Sequence, residues 1–128
     1  MRMLVLALLA LAAPAVAQPG QKLAAGDWHG TGLQVNPGGI QSTWTIDMSI
    51  NTQRSMINYP SLGCTGVLHR VSSTPTQIVF REQITEGDCI DNGRITVTLE
   101  NGRIFWFWTK PGLDADASAV LYPSRPVA

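Results

Sequence analysis

Residues 94–110 read RITVTLENGRIFWFWTK. Apolar and polar positions alternate on both sides of Asn101-Gly102, the period-two signature of strands. Asn-Gly between two alternating runs favours a two-residue turn whose twist matches that of the flanking strands. The two-residue loop fixes the register: Glu100 faces Arg103, Leu99 faces Ile104, Val97 faces Trp106 and Ile95 faces Trp108. Trp106 and Trp108 therefore share one face with Ile95, Val97 and Leu99. Phe105 and Phe107 point the other way, opposite Thr98 and Thr96. A half-buried strand needs only one apolar face. The outer phenylalanines are thus expected to be capped by a terminus or loop, or to offer a partner interface or ligand shelf.

The same grammar extends upstream. From Ile40 to Ile50 the even positions are Ile40, Ser42, Trp44, Ile46, Met48 and Ile50, and the odd positions are all polar. Asn36-Pro37-Gly38-Gly39 is a turn, so a strand at Asp27–Val35 is expected to pair with Ile40–Ile50. Further strands are expected at Ser55–Tyr59, Thr65–Ser72 and Gln77–Thr85, then Arg94–Glu100, Arg103–Lys110 and Ala117–Tyr122. Pro60 stops the third, because proline cannot donate to a ladder. No segment after the N-terminal apolar run shows a helical period. Eight short antiparallel strands joined by tight turns predict an all-β fold, an up-and-down barrel of the lipocalin or avidin type. A sandwich is the alternative. Barrel closure removes exposed edges, and eight strands enclose a space that side chains fill or that holds one small ligand.

A length of 128 residues suits one domain. Nine basic residues balance nine acidic ones, which argues against a nucleic-acid partner. The N-terminus carries a different signal. Arg2 precedes an apolar run from Met3 to Ala13, Pro14 breaks it, and Ala15-Val16-Ala17 has the small-x-small pattern of signal-peptidase sites. Residues 1–17 are therefore expected to be a signal peptide, 18–25 a flexible lead-in and 26–128 the barrel domain. The run is too short to span a bilayer, which takes about 20 residues, and no membrane span is expected. The expected location is periplasmic or secreted. In an oxidising compartment the paired Cys64 and Cys89 should form a disulfide, closing a loop of about 25 residues worth roughly 3 kcal/mol. Two cysteines cannot make a structural zinc site alone, and His29 and His69 lack ligand spacing; no metal or cofactor is expected.

Three stretches carry a resemblance. Gly26-Asp27-Trp28-His29-Gly30 is a G-x-W-x-G opening. Residues 59–68 have the form Y-P-S-L-G-C-x-G-x-L. Phe80-Arg81-Glu82-Gln83-Ile84, followed by Gly87, Cys89 and Gly93, has the form F-x-E-x-I…G…C…G. Together they resemble a small extracytoplasmic domain of bacteria, found alone behind signal peptides and at the outer end of some bacterial serine/threonine kinases. The resemblance implies secretion, a β architecture and a sensing or binding role. It carries no catalytic residues to transfer.

No G-x-S-x-G or H-E-x-x-H pattern occurs, and no enzymatic activity is expected. Three features stand out as candidate binding elements. Glu82 shares the apolar face of Ile78, Phe80 and Ile84, and an inward carboxylate must be paired or neutralised. One register with the preceding strand brings Val67 and His69 to its face; the other brings Leu68 and Arg70. The resemblance places an apolar residue at Leu68, so a buried Arg70–Glu82 pair is the preferred expectation, with a ligand contact as the alternative. Trp28, Trp106 and Trp108, with Trp44, are expected to point inward. The loop Tyr59–Cys64, with Tyr59 and Ser61, would be stiffened by Pro60 and the disulfide. The leading expectation is a non-enzymatic binding module for a small apolar or aromatic ligand. The alternative is a protein-binding inhibitor of an exported hydrolase such as lysozyme.

Overall fold

The computed structural model describes residues 24–124, and the expected signal peptide and most of the lead-in lie outside them. Eight strands follow in chain order: β1 (Gly26–Val35), β2 (Gln41–Ile50), β3 (Ser55–Tyr59), β4 (Cys64–Ser73), β5 (Gln77–Glu86), β6 (Arg94–Glu100), β7 (Arg103–Thr109) and β8 (Ala117–Pro123). Each pairs antiparallel with its sequence neighbour, and β1 pairs with β8, so the sheet closes into an up-and-down barrel. The barrel expectation holds and the sandwich does not. No described helix is long and apolar enough to cross a membrane.

The β6–β7 hairpin has the register that Asn101-Gly102 dictates, with Val97 opposite Trp106 and Ile95 opposite Trp108. Both turn residues take positive φ, 53° and 77°, as a type I′ turn requires. Alternation is obeyed around the barrel. Trp28, Ile46, Met48, Ile57, Leu68, Ile78, Phe80, Ile95, Val97, Ile104, Trp106 and Leu121 fill the interior, while Phe105 and Phe107 are 39% and 44% exposed on the outer wall. One apolar position departs from the pattern. Ile40 is exposed, because β2 starts one residue later and Ile40 belongs to the turn, its carbonyl accepting from the Asn36 N–H.

Up-and-down order gives the barrel two unlike ends. The β2–β3, β4–β5 and β6–β7 turns gather at one end together with the start of β1. Here Trp28 is buried and its Nε1 donates to the Ala24 carbonyl at 2.8 Å. The β1–β2, β3–β4, β5–β6 and β7–β8 loops gather at the other end. At that end the ladders run out early. The β2–β3 ladder covers only Asp47–Ser49 of β2, and β5–β6 pairing stops at Arg81 opposite Arg94. Strands that lose their partners must satisfy their backbone groups elsewhere. The 3-10 turn Pro60–Leu62 does this for β2: the Thr45 N–H donates to Ser61 Oγ at 2.9 Å, and the Ser61 N–H returns to Thr45 Oγ1 at 3.1 Å. On β5, the Ile84 N–H donates to Asp91 Oδ1 at 2.8 Å. The wall splays at this end and is held by side chains and by the disulfide.

Candidate functional site

The splayed end contains an open cavity of about 290 Å³. Trp44 of β2, Tyr59 of β3, Glu82 of β5, and Trp106 and Trp108 of β7 form its aromatic and acidic wall; Leu62 and Ile90 close its sides, and Gln34, Ser42 and Asp88 stand among its polar lining. Four of the six residues expected to bind, Tyr59, Glu82, Trp106 and Trp108, therefore come together. Trp28 and Ser61 do not. Trp28 lies toward the opposite end and borders a separate groove with Met48 and Ile57. Ser61 is used in the wall contact with Thr45. Trp44, placed inward by period two, is the additional aromatic member.

Glu82 is the centre of the site. It is 1% exposed, because its strand position points it inward among Phe80, Ile78 and the facing tryptophans. The Tyr59 hydroxyl donates to Oε2, and Trp108 Nε1 donates to Oε1 at 3.1 Å. Burial pushes the Glu82 carboxyl above the usual carboxylate range; the two donors pull the other way without overcoming it, and the Asp91 charge adds to the rise. Burial pushes the Tyr59 hydroxyl far above its ordinary range too, reinforced by the Glu82 charge and by the hydrogen bond. Tyr59 is thus fixed as a neutral donor.

The expected Arg70–Glu82 pair is not formed. The register is the one that puts Leu68 opposite Glu82, but it puts Arg70 opposite Phe80. The Arg70 guanidinium lies 5.7 Å from the Phe80 ring centroid, and its Nη2 reaches the Asn51 carbonyl at 3.4 Å. It is turned toward the β2–β3 turn, at the end away from the cavity, with Phe80 on its path to Glu82. Neutral donors from β3 and β7, which no reading of β4 against β5 could supply, take its place.

Two local devices position the donors. A Cβ added at Gly93 would overlap the Trp108 indole, at and around Nε1; only glycine lets the indole lie against the β6 backbone and reach Glu82. The Cys64–Cys89 disulfide, with Cα atoms 6.2 Å apart, fastens the β5–β6 loop to the start of β4. It thereby holds Asp88, Cys89 and Ile90 against the cavity. Tyr59 meets Trp106 edge-to-face, with centroids 6.5 Å apart and planes at 74°, a favoured aromatic arrangement.

Trp106 carries the remaining polar atom of note. Its residue is 2% exposed, and its Nε1, like Arg70 Nη1, is buried with no hydrogen-bond partner among the described residues. Buried donors in native proteins are nearly always satisfied, so this orphan is an exception in a residue that also lines the cavity. Among the described residues, no group of three or more His, Cys, Asp or Glu side chains is placed to hold a metal ion. No protein-family model matches the chain, and no curated protein matches it.

Proposed function

We propose that this protein is a non-enzymatic extracytoplasmic binding module that takes a small, largely apolar or aromatic molecule into the open end of its barrel. The observation that carries this reading is the cavity itself. It is close to the lower bound of about 300 Å³ typical of small-molecule pockets, and it concentrates aromatic rings around a buried carboxyl and an unpartnered indole N–H. A barrel built only for stability would gain by filling that space, since voids cost packing energy. The disulfide suits an exported chain, in keeping with the N-terminal signal and with the resemblance to a secreted bacterial β-domain.

The test is entry of a neutral apolar probe. N-phenyl-1-naphthylamine should brighten on addition to the wild-type protein. It should not brighten with Ser42→Trp, which puts an indole at the exposed rim of the cavity. Equal brightening in both would place the probe elsewhere and count against the cavity.

The second reading is an inhibitor of an exported hydrolase such as lysozyme. It is favoured by the β3–β4 corner, where Leu62 stands 51% exposed on a turn held by Pro60, the Ser61–Thr45 contacts and the adjacent disulfide. Inhibition by the wild-type protein that Leu62→Asp abolishes would favour this reading over the first.

A further inference from the structure

The charge inventory of the cavity narrows the ligand further. Its lining includes two acids, Glu82 and Asp88, and no Lys, Arg or His. Glu82 is buried, and its carboxyl accepts from the neutral donors of Tyr59 and Trp108. Arg70 stands at the far side of Phe80, at the end away from the cavity, and at the cavity end the Lys110 ammonium donates to the Asp91 carbonyl at 2.8 Å. A carboxylate ionised in such a place needs a compensating charge. The surrounding surface supplies more of the same sign. Trp44, Tyr59, Trp106 and Trp108 carry ring faces of negative potential, and such rings attract cations, tryptophan most strongly. An anion would meet Glu82 and Asp88 together.

The kind of cation follows from hydrogen-bond capacity. A primary ammonium brings three donors. The Glu82 oxygens each already accept one bond and keep about one further lone pair each, about two sites for three donors, and aromatic rings offer no strong acceptor. An alkylated ammonium brings few or no N–H donors and spreads its charge over methyl groups that pack on rings.

We infer that the cavity binds a small alkylated ammonium compound, its cationic head among Trp44, Tyr59, Trp106 and Trp108 and over the Glu82 carboxylate. This rests on the reading of the cavity as a ligand site and names the class of ligand. Asp88, exposed on the lining, adds long-range attraction for a cation at low ionic strength.

Phenyltrimethylammonium and tert-butylbenzene have the same shape and differ in charge, so they separate the two levels of the claim. Binding is read from the indole N–H resonances of the folded protein as each is titrated. The wild-type protein should bind the cation at least about tenfold more tightly than the hydrocarbon, the scale of a desolvated cation–π contact. Glu82→Gln should bring the two within about twofold, with a thermal melt confirming that the variant is folded. Trp44→Leu, on the half-buried wall, should also shrink the preference while leaving Glu82 intact. Equal binding of the two probes by the wild type, or a full preference retained in Glu82→Gln, would overturn the ammonium inference and leave the cavity reading standing. If neither probe moves an indole resonance, with the cation at millimolar concentration and the hydrocarbon at its solubility limit, the cavity reading falls and takes the inference with it.

Discussion

Replacing Glu82 by Gln and by Leu separates its roles as charge and as hydrogen-bond hub. The side chain accepts from two buried donors, Tyr59 and Trp108. Gln keeps the shape, one acceptor oxygen and a donor that can reach the Tyr59 oxygen. When the native carboxyl is protonated, Gln is a near replica, and the expected cost is within about 1 kcal/mol. Leu fills a similar volume but leaves the Tyr59 O–H and Trp108 N–H without partners. Each orphan costs about 1–3 kcal/mol, so the loss should total about 2–6 kcal/mol. The charge shows itself through pH. Burial raises the Glu82 pKa, so the folded protein keeps a proton that the unfolded chain has already released. Stability from this group therefore falls as pH rises from the ordinary carboxylate range through the raised folded value. Glu82→Gln does not titrate there, so it should gain on the wild type as pH increases. Urea unfolding at about pH 5 and about pH 8 measures both effects. A Leu variant as stable as Gln would refute the hub. A wild type that gains on Gln with rising pH would refute burial as the dominant influence on Glu82.

Three further outcomes follow from the geometry. Gly93→Ala should displace the Trp108 indole from Glu82, costing about 1–3 kcal/mol through overpacking alone, and should shift the Trp108 Nε1–H resonance; an unmoved resonance would mean that the indole does not rest on this glycine. Replacing Cys64 and Cys89 together by Ala should cost about 3 kcal/mol and raise hydrogen exchange in the 87–93 loop more than in the β6–β7 hairpin; uniform exchange would contradict a local fastening role. Ser61→Ala should cost about 1 kcal/mol and speed exchange of the Thr45 N–H, which loses its acceptor; unchanged exchange would count against side-chain closure of the β2 gap.

Much of the barrel was legible because its information is local. Period two in residues 40–50 and 103–108 sets the faces, and Asn101-Gly102 sets a register that no tertiary contact alters. The disulfide was legible from compartment chemistry rather than from geometry. The site was half legible. Alternation brings Glu82, Trp106 and Trp108 inward, and Tyr59 lies on the inward face of β3. Their meeting depends on how eight strands wrap, which pairwise patterns do not encode. The Arg70 expectation used only β4 against β5, whereas the donors to Glu82 come from β3 and β7 across the barrel. Ser61 looked like a loop-displayed ligand contact; the early end of the β2–β3 ladder, invisible in sequence, turns it into a wall fastener. Trp28 follows the inward rule but sits toward the end opposite the cavity, paired with Met48.

Native mass spectrometry of the protein recovered from its native cells tests the binding role most directly. The predicted result is a folded chain carrying one small molecule, whose mass increment disappears in Ser42→Trp. Recovery of the bare chain, or of the chain bound to another protein with its cavity empty, would contradict it.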